Sequence, residues 1–456
     1  MEKAVKVDRV SYWYPSSSEP ALKELSVEVE KGEFVLVVGS SGAGKSTFCR
    51  LLNGLVPGYS GGIIEGSVFV NGRNTKDFKT EELATDVGMM FQDPENQTIM
   101  SVAENEVAFA LENKCLKPEA IRERISEVSE KLGIKHLLAR NTAELSGGER
   151  QKIVLASVLA LKPEVLVLDE PTSQLDPAAR RDFVAAVADL NKKHGLTVVL
   201  VEHNISEVIE YADWVFDIDS QKRINPKDIK CANPYSGIKF KKTKSIQPVV
   251  DVRALEKSYG GTKALSGVDL SIMRGEFVAL TGPNGCGKTT LVKHLNGLLK
   301  PDSGSVEVFG MDVSKTPREA LTRRVAYLPQ NPSDCFFADT VEEELRMTLK
   351  NFGVEREPHL ILSEFSLSEH SGKYPRDISV GQRQRLALAC VTCHSPELII
   401  LDEPTRGIDE ASRIALTHLI WRLHERGSTI VLITQDLDLA MTANRRIWMD
   451  GGRVLG

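Results

Sequence analysis

This 456-residue chain has few cysteines, no long apolar run and no large excess of either charge. Its seven cysteines are odd in number and scattered, which argues against a disulfide framework and fits reduced thiols. No stretch reaches the roughly 18 consecutive apolar residues needed to span a bilayer. The opening MEKAVKVDRV lacks the apolar centre of a signal peptide, so the chain is expected to stay in the cytosol. The 57 Lys+Arg against 63 Asp+Glu leave a net charge of −6, which disfavours a protein held on nucleic acid by bulk charge. What is present, 41% hydrophobic and 26% charged residues, is ordinary globular composition for two or three domains with full cores.

The organisation is a single duplication. VEKGEFVLVVGSSGAGKST, ending at Thr47, returns as IMRGEFVALTGPNGCGKTT, ending at Thr290. LSGGERQ (145–151) returns as ISVGQRQ (378–384), and VLVLDEPTSQLD (165–176) as LIILDEPTRGID (398–409). Ser146 to Ser379 and Asp169 to Asp402 are both 233 residues apart, so the repeat unit is a whole domain rather than a solenoid turn. The copies are placed at 1–224 and 249–456. Residues 225–248 carry Pro, Gly and a Lys run without apolar periodicity and are expected to form a solvated linker. Within each copy, short β-branched runs such as FVLVV (34–38) and TVVLV (197–201) alternate with helical patterns. That argues for an α/β fold with a parallel sheet covered on both faces.

Two phosphate loops carry the chemistry. Gly39, Ser40, Ser41, Gly42, Ala43, Gly44, Lys45, Ser46 and Thr47 match G-x-x-x-x-G-K-[ST], as do Gly282, Pro283, Asn284, Gly285, Cys286, Gly287, Lys288, Thr289 and Thr290. Each follows an apolar strand and precedes a helical pattern. The glycines let backbone N–H groups turn toward phosphate at a helix N-terminus. Lys45 and Lys288 would reach the β- and γ-phosphates, and the Ser46 and Thr289 hydroxyls would hold magnesium. VLVLDE and LIILDE are apolar strands ending in paired acids, which buried strands rarely do for structural reasons alone. Asp169 and Asp402 suit the magnesium shell. Glu170 and Glu403 suit orienting or deprotonating an attacking water.

With LSGGE added to the paired loops, the chain resembles the ATP-binding cassette family, whose signature is LSGGQ. The resemblance covers nearly everything but the linker. It implies two tandem cassettes, each a RecA-like parallel-sheet core with a helical subdomain and an N-terminal antiparallel β part. It also implies two composite sites that sandwich ATP with Mg2+ in an intramolecular pseudo-dimer. Ser146 and Gly148 would then contact the nucleotide on copy 2, and Ser379 and Gly381 the one on copy 1. Tyr14 and Tyr259 stand where the family stacks an aromatic on adenine. Gln92 and Gln330 stand at the loop glutamine that senses magnesium and couples to the membrane subunit. His203 stands at the switch histidine, and Asp176 and Asp409 in the loop linking the two sites. The copies differ here: copy 2 has Gln435 in place of His203, and Val380 in place of Gly147. Gln cannot carry a proton. The Lys45 site is therefore expected to carry most of the hydrolysis.

VGMMFQDPENQ (87–97), SVAENEVAFALEN (101–113), TSQLDP (172–177) and EPTRGID (403–409) look like the ATPases of energy-coupling factor importers. Copy 2 departs from that pattern with Cys335 where copy 1 has Gln97. The resemblance implies an ATPase at the cytoplasmic face of the cell membrane. Its partners would be a transmembrane scaffold and a substrate-binding membrane protein, with the segments after Gln92 and Gln330 forming grooves for the scaffold. Alternatives are a tandem sugar-importer ATPase and a soluble ribosome-associated cassette protein. The net negative charge and the short linker disfavour the latter. Cys390-Val391-Thr392-Cys393-His394 fits a haem-attachment pattern, but the repeat places Ser157 and Ala160 at the cysteine positions, so small helix-packing residues are expected.

Overall fold

The computed structural model describes residues 2–15, 17–40, 42–92, 94–173, 175–202, 205–229, 233–241 and 245–455. Two compact units emerge, Met1–Cys231 and Ala232–Gly456.

In the first unit, β1 (Lys3–Trp13), β2 (Leu22–Glu30), β4 (Ile63–Val70) and β5 (Arg73–Asn74) form an antiparallel sheet in the order β2-β1-β4-β5. A second, six-stranded sheet runs β10-β9-β3-β8-β7-β6, from β3 (Phe34–Val38), β6 (Val87–Met90), β7 (Val165–Asp169), β8 (Thr197–Val201), β9 (Trp214–Asp217) and β10 (Lys222–Ile224). All its pairings are parallel except β9 with β10. The reason lies in the strand sequences. FVLVV, VLVLD and TVVLV are buried almost throughout, and strand side chains alternate between faces. Phe34, Leu36, Leu166, Leu168, Val198 and Leu200 face a core built with helices Ala103–Asn113, Pro118–Lys131, Gly147–Ala160 and Pro177–His194. Val35, Val37, Val165, Val167, Val199 and Val201 face the antiparallel sheet and helix Lys45–Leu52.

The second unit repeats the plan. Its antiparallel sheet is β12-β11-β14-β15, from β11 (Pro248–Tyr259), β12 (Thr262–Met273), β14 (Ser303–Val308) and β15 (Met311–Asp312). Its core sheet is β16-β17-β18-β13-β19-β20, from β13 (Phe277–Thr281), β16 (Val325–Leu328), β17 (Leu398–Asp402), β18 (Thr429–Ile433), β19 (Arg445–Asp450) and β20 (Arg453–Leu455).

The solvated-linker expectation fails over residues 233–240. Tyr235, Ile238 and Phe240 are buried in the core of the second unit, and the Phe240 ring lies 4.0 Å from that of Phe277. Tyr235 Oη donates to Asp436 Oδ2 (2.6 Å), and Trp421 Nε1 donates to the Lys239 carbonyl (3.1 Å). The Lys run hid this, because apolar residues at 235, 238 and 240 fit neither a helical nor a strand period. They strap the outside of an existing core.

Cys390 and Cys393 are buried in the same core, and the His394 ring stacks on Phe352 at 3.8 Å.

Candidate functional site

In each unit the phosphate loop and the strand-end acids gather at the carboxyl ends of the parallel strands, where open α/β sheets place ligands. β3 leads into the first loop, whose helix opens at Lys45 after Gly44 in a left-handed conformation (φ 90°). A Cβ on Gly44 would fall 2.5 Å from the Ala21 carbonyl oxygen; at Gly287 (φ 103°) it would fall 2.5 Å from that of Ala264. Glycine is required at both. No side chain caps either helix, so their first N–H groups can serve an anion.

The lysines are held ready. Lys45 Nζ donates to the Gly39 and Ser40 carbonyls at 2.8 Å, and Lys288 Nζ to those of Gly282 (2.8 Å) and Pro283 (2.7 Å). Asp219, which sequence reasoning missed, grips the first loop from outside through Ser40 N (2.6 Å) and Ser40 Oγ (2.9 Å). Ser41 lies outside the described residues.

The strand-end acids stand beside these loops. Ser46 Oγ donates to Asp169 Oδ1 (3.1 Å), and burial pushes the Asp169 carboxyl above its ordinary range. In the second unit, Asp402 Oδ2 accepts from Tyr327 Oη (3.2 Å), while Asp402 Oδ1 is buried with no hydrogen-bond partner. Burial again raises this carboxyl, opposed by the Thr289 and Tyr327 hydroxyls. An orphaned carboxylate oxygen next to a hydroxyl suits a hard, oxygen-preferring cation, so the donor set fits magnesium.

Glu170 (φ 49°) and Glu403 (φ 51°) both hold the left-handed backbone that non-glycine residues rarely adopt. Each is pinned there by its N–H, which donates at 3.0 Å to Val201 O and Ile433 O respectively. Such strain turns the carboxylate out of the strand direction, and it clusters at functional sites. The two acids have different company. Glu170 Oε2 accepts from Gln92 Nε2 (2.9 Å). Glu403 Oε2 accepts from Gln435 N (3.2 Å), and burial raises its carboxyl to about 7. The Gln435 side chain bonds Asn284 of the second loop, whereas Gln330 is exposed. His203, the matching residue of the first unit, lies outside the described residues.

Ser146 and Ser379 are N-caps of helices Gly147–Ala160 and Val380–Thr392, in capping boxes with Glu149 and Gln382. Gly147 does not need positive φ, so Val380 fits the same helical start. A Cβ on Gly148 would lie 3.1 Å from Ala179 Cβ, and one on Gly381 2.6 Å from Ser412 Oγ; here glycine allows helices to approach closely. Asp176 and Asp409 cap the following helices. Tyr14 is half-buried, its hydroxyl 3.1 Å from Thr47 Oγ1; Tyr259 is 49% exposed.

Beyond Gln92, the Gln97 side chain stitches its segment to β6 through Phe91 N (3.0 Å) and Met89 O (3.1 Å). Two buried acids, also missed from sequence, do similar work in both units. Glu106 Oε2 accepts from Ile99 N (2.9 Å) and Met100 N (2.7 Å); Glu344 Oε2 accepts from Phe337 N (2.7 Å) and Ala338 N (2.8 Å). Ile99 and Phe337 are thereby held out, 65% and 79% exposed.

A family model described as ABC transporter matches residues 22–173 and, a second time, 265–406. The chain belongs to the ABC transporter family. A putative ABC transporter ATP-binding protein of Methanosarcina mazei is 39% identical over 469 residues, covering 99% of this chain and 94% of its own. From Bacillus subtilis, YkoD, a putative HMP/thiamine import ATP-binding protein, is 33% identical, covering 96% of this chain and 88% of its own. Among solved structures, the archaeal ribosome recycling factor aABCE1, in complex with ribosomal stalk protein aP1, aligns over 98% of this chain and 89% of its own. The TM-score is 0.67 at 22% identity, a likeness of fold alone. This ABC protein is therefore a two-cassette ATPase that uses ATP with Mg2+. Among its described residues no helix is long and apolar enough to cross a membrane.

Proposed function

We propose that this ABC ATPase is the energy-coupling subunit of a membrane importer of the energy-coupling factor type, working at the cytoplasmic face for a vitamin or transition-metal ion. The observation that carries the reading is the matched pair of clamps, Glu106 on Ile99 and Glu344 on Phe337, after each loop glutamine. Each cassette presents a large apolar side chain on a backbone fixed by a buried carboxylate, which suits docking of an apolar helix from a membrane scaffold. The name of the B. subtilis relative, an import protein, agrees.

In this reading each ATP is gripped by one phosphate loop and the opposite signature. Lys45 pairs with Ser379 and Gly381, and Lys288 with Ser146 and Gly148; Tyr14 and Tyr259 receive the adenines. Magnesium, when bound, neutralises phosphate charge, and Ser46 with Asp169 and Gln92, or Thr289 with Asp402 and Gln330, would hold it. Glu170 and Glu403 orient and deprotonate the water, with His203 or Gln435 at the γ-phosphate. A ligand that touches both cassettes only in the closed state shifts the population toward closure, and hydrolysis releases it. Purification from solubilised membranes tests the proposal. Recovery of a small hydrophobic scaffold protein supports it, whereas recovery of ribosomes alone overturns it.

A further inference from the structure

Far from the nucleotide residues, the first unit contains a cavity of about 290 Å³. It lies between helix Pro118–Lys131 and the amino ends of β7 and β8, so the length of a strand separates it from Asp169. Its floor is aliphatic, from Val128, Leu159, Ala160, Pro163, Leu190 and Leu196. Its rim is basic. Lys31, Arg124, Lys131 and Lys162 line it against only two carboxylates, Glu127 and Glu164. Glu127 is shared by Lys131 (2.9 Å) and Lys162 (2.7 Å), and Lys31 lies 3.4 Å from Glu164 and, outside the lining, 3.2 Å from Glu2. Arg124 Nη1 is buried with no hydrogen-bond partner.

The second unit has the corresponding cavity, about 240 Å³. Glu364 takes both Arg356 (3.0 Å) and Arg426, and Glu397 takes both Arg274 (2.7 Å) and Arg324 (2.6 Å). Arg274 and Arg324 stand outside the lining, so the lining itself is balanced. The duplication therefore supplies an internal comparison: the lining of the second cavity sets Arg356 and Arg426 against Glu364 and Glu397, and that of the first sets four cations against two carboxylates.

We infer that the first-unit cavity binds a small organic anion, with an apolar body on the aliphatic floor and a carboxylate, sulfonate or phosphate head on Arg124 and the lysines. The volume is at the lower end of ligand pockets, about 300 Å³ and up, which suits a body of one or two rings. Arg124 Nη1, once its side chain turns toward the cavity, gains from such a head, because a charge-assisted hydrogen bond replaces a missing one. The ligand touches both a helix of the helical subdomain and the core sheet, so it acts on the motion between them. This inference does not depend on the import reading.

The test uses the full chain with 8-anilino-1-naphthalenesulfonate as the probe, at a saturating non-hydrolysable ATP analogue so that the nucleotide sites are filled. Expected is one bound probe per chain. Arg124→Gln weakens it about tenfold. Glu127→Gln tightens it, because two lysines lose their shared carboxylate. Glu364→Gln in the second unit leaves it unchanged. Thermal midpoints are recorded to confirm that each variant folds. Binding that ignores Arg124→Gln, that weakens in Glu127→Gln, or that responds to Glu364→Gln overturns the assignment.

Discussion

Tyr327 donates its phenolic hydrogen to Asp402 across 3.2 Å, and the repeat places Met89 at the equivalent position of the first unit. Met89 turns its sulfur to Asn53 Nδ2 instead, at 2.8 Å. The neighbourhoods of the two strand-end aspartates therefore differ in their buried donors. Tyr327→Phe removes a buried donor from Asp402 and should cost about 1–3 kcal/mol without nucleotide. The loss should shrink with magnesium and ATP present, since the carboxylate would then help to hold the cation. Denaturant unfolding with and without nucleotide measures this; an equal loss in both conditions contradicts a cation at Asp402.

Hydrolysis should be unequal between the sites. Glu170→Gln is expected to remove most of the ATPase activity of the assembled complex, at least about tenfold, and Glu403→Gln a smaller part. Steady-state rates of both variants decide it. Equal losses, or a larger loss from Glu403→Gln, end the claim of asymmetry.

Glu106 and Glu344 should govern coupling more than chemistry. Glu106→Ala leaves two N–H groups without their acceptor, a local cost of about 1–3 kcal/mol. Glu106→Gln keeps an acceptor oxygen and should rescue. The expected signature is basal ATPase within about twofold of the parent, with stimulation by the membrane subunits lost in the alanine variant only. Equal stimulation in both variants would mean that the clamp does not serve docking.

Buried Glu202 accepts from Thr172 N (3.1 Å) and Oγ1 (2.6 Å), and burial raises its carboxyl above the ordinary glutamate range. The folded state thus binds the proton more tightly than the unfolded chain does. That contribution to stability is present at low pH and is lost as pH rises through the folded-state titration. Glu202→Gln, which keeps an acceptor for Thr172, should stabilise the chain at neutral pH, with the advantage fading toward acid. Unfolding midpoints across pH check the sign.

Phe240→Ala should destabilise the second unit by about 3–5 kcal/mol, the usual cost of removing a buried phenylalanine. A change below about 1 kcal/mol would show that the strap adds little to that core.

Much of this molecule is legible because its chemistry is tied to spacing. The phosphate loops, the acid-ended strands and the offset of 233 between Asp169 and Asp402 mark the duplicated sheet and where its ligands lie. The missed residues act through partners distant in sequence. Asp219 reaches Ser40 across 179 positions, and Tyr235 reaches Asp436 across 201. Nothing local to Glu106 shows that the chain turns back to offer it two N–H groups. Tyr327 was hidden by its setting in an apolar strand, where a packed ring is the ordinary expectation.

The strap also decides where the second half can be cut free. A fragment begun at 249, where the repeat resumes, would lose Tyr235, Ile238 and Phe240 and leave Phe277 and His424 without their cover. A fragment that keeps this cover has to begin no later than Asn233, and any exchange of halves between related chains has to carry those residues along with it.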